Sequence, residues 1–218
     1  MLFRSPEILS PRRATLAANM ETALNGLWDS GAGPGDRVVV VGGGLVGLLI
    51  AYIAARLPGA DVTLVDLDPA REEIAKAFGA SFLTPTAFHD AYPQGADADI
   101  VFHASASHQG LALALSAGGL EARIVEMSWY GEGDTATPLG GAFHSRRLHL
   151  ISSQVGQIAP TRRPRWNYAR RLGKALELLA DDRLDALITG EVAFGELPQA
   201  LLELLAPQAK GLATAVRY

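Results

Sequence analysis

The stretch Val38-Val39-Val40-Val41-Gly42-Gly43-Gly44-Leu45-Val46-Gly47-Leu48-Leu49 decides the fold. Four β-branched residues in a row suit a strand covered on both faces, as in a parallel sheet between two helical layers. The Leu/Ala/Ile-rich run from Leu45 to Arg56, closed by Pro58-Gly59, reads as a buried helix. Gly42, Gly44 and Gly47 at the joint fit G-x-G-x-x-G. The first glycine permits a tight turn, the second lets the backbone approach a pyrophosphate, and the third lets the helix pack on the strand. At the start of that helix, around Leu45 and Val46, amide groups lack intrahelical partners and favour an anion.

The next apolar run, Val62 to Val65, ends on Asp66, nineteen residues after Gly47. A carboxylate there can accept hydrogen bonds from an adenosine ribose, with Leu67 beside it. It also repels a 2′-phosphate, which favours NAD over NADP, and Asp68 adds to that bias. Arg71, one turn into the following helix, has two readings: it flanks the adenine, or it is a solvated helix residue. A methyltransferase that binds S-adenosylmethionine would also place glycines after its first strand and an acid after its second. It has no pyrophosphate to cradle, so the full glycine spacing favours a dinucleotide.

Outward from this core, strand and helix signals alternate. Ser10 to Ser30 reads as one helix or two short ones, opened by Ser-Pro and broken by Gly-Ala-Gly-Pro-Gly at 31–35. Pro69 to Phe78 and Gly110 to Ala117 read as helices. Ser81 to Leu83, Ile100 to Phe102, Arg123 to Met127 and Leu148 to Ile151 read as strands. The expected fold is α/β: a doubly wound, six-stranded parallel sheet with a C-terminal α+β extension. In that extension we expect a helix over Pro164 to Leu179, a segment Leu184 to Phe194, a helix over Leu197 to Leu205 and a strand Leu212 to Val216. The expected divisions are 1–30 as a leading helical region, 31–155 as the dinucleotide-binding domain, and 156–218 as the extension.

Composition narrows the chemistry. The 218 residues are 49% hydrophobic, with 19 Lys and Arg against 23 Asp and Glu, a net charge of −4. That balance supports a packed core and supplies no overall field toward nucleic acid or anionic membrane. Zero cysteines exclude a disulfide scaffold, a Cys-ligated zinc and a thiol nucleophile. The uncharged run Val38 to Ala55 approaches the length of a membrane span, but the glycine turn in its middle argues against one. The first residues, with Pro6 and Pro11 and no apolar centre, do not read as a signal peptide, and the expected location is the cytoplasm.

With these pieces in place the chain resembles the medium-chain dehydrogenase/reductase family, the zinc-type alcohol and polyol dehydrogenases. The likeness runs through Ala23-Leu24-Asn25, Pro34 to Leu49, Val65 to Arg71, Phe78-Gly79-Ala80 and Leu184 to Thr189 with Val192 and Phe194. It implies a Rossmann domain that binds NAD(H) for hydride transfer between the nicotinamide and an alcohol or carbonyl compound. It implies that backbone at Ala104 and Ser105 approaches the nicotinamide ribose, and that backbone at Ser128 meets the nicotinamide amide. In that family a preceding GroES-like domain carries the catalytic zinc ligands and the hydroxyl relay. Neither is evident here: no zinc site is expected, catalytic residues stay unassigned, and binding is expected with little turnover of this chain alone. The family's late phosphate-binding arginine would fall near Ala213, with Lys210 the nearest basic residue. A non-catalytic NAD(H)-sensing module is the alternative. Expected partners are the dinucleotide, a small substrate if active, and a second copy or a separate catalytic domain; neither nucleic acid nor membrane is expected.

Other polar clusters have bland readings beside sharper ones. His103, Ser105, Ser107 and His108 read as loop residues that satisfy nearby backbone, lacking a third metal ligand. Trp129 and Tyr130 either line a substrate pocket or pack against a partner. Phe143 to Arg147 reads as a solvated connection rather than an anion site. Arg162, Arg163, Arg165, Arg170 and Arg171 read as surface or interdomain salt-bridge formers rather than a nucleic-acid patch.

Overall fold

The structure, a computed structural model, describes residues 9–206, 209 and 211–218. Its centre is a six-stranded parallel sheet in the order β3-β2-β1-β4-β5-β6. The strands are β1 (Arg37–Val41), β2 (Asp61–Val65), β3 (Ser81–Leu83), β4 (Ala98–His103), β5 (Gly118–Glu126) and β6 (His149–Ser152). The order reverses between β1 and β4, so the carboxyl ends of these two strands border a crevice.

Alternation along β1 explains its unbroken apolar sequence. Val38 and Val40 face one core layer with Leu48, Leu49 and Ile50 of α3 (Leu45–Ala54). Val39 and Val41 face the opposite layer with Leu111 and Leu115 of α6 (His108–Ala117). Both faces are covered, so no polar alternation is needed. The first layer also holds α2 (Ala17–Ser30), which follows a one-turn helix α1 (Pro11–Ala14), and α4 (Arg71–Phe78). The leading segment is therefore two helices, the second of the two readings offered by the sequence.

Sequence reading placed the elements well and their ends less well. Helix α4 starts at Arg71 rather than Pro69, because Asp68 Oδ1 accepts from Ala70 N (3.0 Å) in a turn that precedes it. Strand β5 starts five residues earlier than expected; a register shift lets Gly118 pair with Ala98 before Arg123 pairs with Ile100. Two helices escaped notice, α5 (Pro85–Ala91) and the short α7 (Ala142–Ser145). In the extension, α8 (Tyr168–Leu178) begins after Asn167, whose side chain caps Arg170 N at 2.9 Å. Leu184 to Phe194 divides into a 3₁₀ turn, Asp182–Leu187, and strand β7 (Ile188–Ala193). After α9 (Leu197–Leu204), strand β8 (Ala213–Arg217) pairs parallel with β7 in a separate two-stranded sheet. Leu179, Leu184 and Leu187 are buried in the first core layer, so the extension is docked on the domain rather than tethered to it.

Candidate functional site

The glycine turn is built as its spacing required. Gly42 has φ +109°, and a Cβ there would lie 2.7 Å from the backbone of Ala104 and Ser105. A Cβ on Gly47 would collide with the carbonyl oxygen of Gly42, so α3 can reach β1 only with glycine at that position. Gly44 differs: a Cβ there would meet no atom within 4 Å. Packing therefore gives no reason for glycine at 44. It is the N-cap of α3 without a side-chain cap, so the amides of the first turn, at Leu45, Val46 and Gly47, are left for other acceptors.

Asp66 lies directly across this turn. Its Oδ2 accepts from Gly43 N at 2.5 Å and its Oδ1 from Asp68 N at 2.8 Å. These bonds pin the carboxylate beside the glycines. The Arg71 stem passes over Gly43, its Cγ 3.2 Å from where a Cβ would stand, and its guanidinium pairs with Asp68 at 3.3 Å. The Arg71 side chain is thus mostly covered, which removes the solvated-helix reading.

A cavity of about 400 Å³ opens between β1, β2, α5 and α6 at the crevice. Gly42, Gly44, Asp66, Leu67, Ala104 and Ser105 line it, together with residues not singled out from sequence: Pro85, Gln109, Gly110 and Leu113. Leu45, Val46, Gly47, Arg71 and Ser128 do not line it. Helices α5 and α6 bring the missed residues. Thr84-Pro85, a cap followed by Pro at the first helical position, was the available signal; Thr84 Oγ1 accepts from Ala87 N.

The His103 cluster is the largest departure from the sequence reading. His103 belongs to β4 rather than to a loop, is fully buried, and finds side chains rather than backbone. Its Nδ1 lies 2.8 and 2.9 Å from the two oxygens of Glu126, and its Nε2 lies 2.8 Å from Ser105 Oγ. Glu126 was missed because a glutamate at a strand end carries no signal alone. The register that pairs His103 with Glu126 becomes visible only with the sheet. Burial pushes the Glu126 carboxyl up, but hydrogen bonds from His103 and Ser128, and the His103 charge whenever that ring is protonated, outweigh it and hold the group below the usual range. Tyr130, stacked beside the His103 ring, is pushed up to about 12 by burial and by Glu126. Ser128 holds the adjoining turns: its Oγ accepts from Ala106 N at 3.0 Å and its amide donates to Glu126 at 2.8 Å. Trp129 is exposed.

The remaining basic residues are largely structural. Arg146 donates to the carbonyls of Gln94, Ser116 and Gly118. Arg171, buried, bonds Glu21 and Asn25, and Arg170 lies over the Trp166 ring. Lys210 lies outside the described residues. Among the described residues, no three His, Cys, Asp or Glu side chains come together as a metal site, and no helix is long and apolar enough to cross a membrane.

Residues 17–125, half of the chain, match the family model described as the alanine dehydrogenase/PNT C-terminal domain. The chain belongs to this domain family. It is also 26% identical over 212 residues to an uncharacterized zinc-type alcohol dehydrogenase-like protein of Haemophilus influenzae, covering 94% of this chain and 58% of that protein. A putative zinc-binding dehydrogenase from Sinorhizobium meliloti, solved bound to NADP, superposes with TM-score 0.79 at 20% identity, over 99% of this chain and 62% of its own. A short chain alcohol dehydrogenase from Escherichia coli CFT073, complexed with NADH, does so with TM-score 0.80 at 19% identity, over 99% and 62%. At such identities the two structures speak for the fold alone. The expected likeness to the cofactor-binding half of zinc-type alcohol and polyol dehydrogenases is borne out, and the chain spans about three-fifths of such relatives.

Proposed function

We propose that this member of the alanine dehydrogenase/PNT C-terminal domain family binds a nicotinamide dinucleotide, with NAD(H) preferred, for an alcohol or carbonyl dehydrogenase. The observation that carries the reading is the pairing of Gly44 with Asp66 on one cavity. Gly44 is a glycine that the protein's own packing does not demand, at the open start of α3. A pyrophosphate against the backbone supplies the demand. Asp66, pinned by the amide of the neighbouring Gly43, is an acceptor suited to ribose hydroxyls and hostile to a 2′-phosphate. Leu67 and the backbone of Ala104 and Ser105 complete the walls, and Ser128 shapes the turn at the end of β5. Bound there, the dinucleotide supplies or accepts the hydride. The likeness to one structure holding NADP and another holding NADH supports the cofactor class without choosing between the two. The choice rests on Asp66.

The divisions at 30/31 and 155/156, a cytoplasmic location, and a second copy or a separate catalytic domain as partner belong to the same proposal. Asp66→Ser tests the central residue. It is expected to weaken NADH by about tenfold, as loss of charge-assisted hydrogen bonds does, and to narrow the gap between NADH and NADPH. An unchanged preference would place the ribose elsewhere.

A further inference from the structure

The carboxyl ends of β4 and β5 carry a file of hydrogen-bonded side chains that leads from the partly buried Glu126 carboxylate, through the buried His103 ring, to the cavity wall. Its direction follows from its members. Glu126 is an acceptor at both oxygens: it takes the Ser128 amide at 2.8 Å and the Tyr130 hydroxyl at 3.4 Å, and both oxygens face His103 Nδ1. The hydrogen between ring and carboxylate therefore sits on Nδ1. In its neutral form, a ring with its hydrogen there presents a lone pair at Nε2. Ser105 Oγ, 2.8 Å away, must point its own hydrogen inward to that lone pair. The next hydroxyl, Ser107, accepts from Gly110 N at 3.0 Å and has its hydrogen available for Ser105 Oγ, 3.1 Å away. A side chain on Gly110 would collide with Ser105 Oγ, so the start of α6 holds the file in place. Ser105, which lines the cavity, thus turns a lone pair and no hydrogen toward it.

We infer that Glu126 and His103 are positioning residues that act through Ser105 to make its wall of the cavity a hydrogen-bond acceptor, selecting a ligand that offers a hydroxyl or amino hydrogen there. With the Asp66 carboxylate on the same cavity, the site presents acceptors from two walls, which suits a nucleoside without a 2′-phosphate and disfavours a phosphate between those two walls. This rests on the dinucleotide reading, in which the donor is either a ribose hydroxyl or the adenine amino group.

The test has two arms. In the free protein, ¹⁵N spectra of the imidazoles at neutral pH should show His103 protonated at Nδ1 and bare at Nε2. A ring protonated at Nε2, alone or together with Nδ1, overturns the inference. In the second arm, NADH and its hypoxanthine analogue, which lacks the amino group, are titrated into wild type, S105A and S105T. S105A should weaken NADH about tenfold, the loss of one hydrogen bond, and S105T should restore it. An equal loss with the analogue assigns the donor to the ribose, and a smaller loss assigns it to the amino group. E126L should weaken NADH in wild type and have no further effect in S105A, a coupling that a purely structural role would not give. S105A binding both ligands as tightly as wild type overturns the inference. Wild type binding neither ligand defeats the proposed function and the ligand half of the inference, while the spectra still decide the polarity of the wall.

Discussion

At the scale of single residues, the site works by commitment of hydrogen bonds. Asp66 is held by the amides of Gly43 and Asp68, so its remaining lone pairs face the cavity without conformational cost. Glu126 is held in the same way, by Ser128 N and His103. Because its folded-state pKa is lowered, it contributes stability that is present above the ordinary carboxylate range and is lost as the pH falls through the folded value. Unfolding by urea at stepped pH should show wild type losing its advantage over E126Q as the pH falls through and below the ordinary carboxylate range. A gap that stays constant over that window would contradict the coupling. Glycine chemistry and Asp66 were legible in the sequence because each residue has one strong local use. Glu126 was not, because its partner lies 23 residues away and only strand register joins them.

At the scale of elements, the sheet was readable from apolar runs and the helices from caps. Boundaries slipped where a side chain overrode propensity, as Asp68 does before α4 and Asn167 before α8. Docking of the extension was legible only in part: Arg171 was expected as a surface or interdomain salt-bridge former, but its partners on α2 carried no signal in the sequence. Arg171 on α8 bonds Glu21 Oε1 at 3.0 Å and Asn25 Oδ1 at 2.9 Å on α2, while Asn25 Oδ1 also takes Ala159 N. Trp28 and Trp166 pack beside it, ring centroids 4.6 Å apart. Removing one partner strands the other, so R171M should lower unfolding stability by about 3 kcal/mol or more, with R171M/E21L recovering part of the loss. Chemical denaturation measures this; a cost under about 1 kcal/mol for R171M would mean that the pair does not fasten the extension.

At the scale of the whole molecule, two surfaces have different characters. The crevice gathers the glycine turn, Asp66 and Ser105 on one cavity. The region around the β7–β8 sheet and α9 leaves Phe194, Leu202, Leu205 and Tyr218 more than half exposed. Such a patch should bind an apolar-surface dye, and L202E/L205E should cut the signal at least in half. Equal dye binding by both proteins would show that the patch is closed in solution. The central claim, however, concerns the crevice. Calorimetric titration of the wild-type chain with NADH and NADPH tests it most directly. The account predicts saturable binding of NADH, with NADPH weaker by tenfold or more through Asp66; binding of neither, or tighter binding of NADPH, would contradict it.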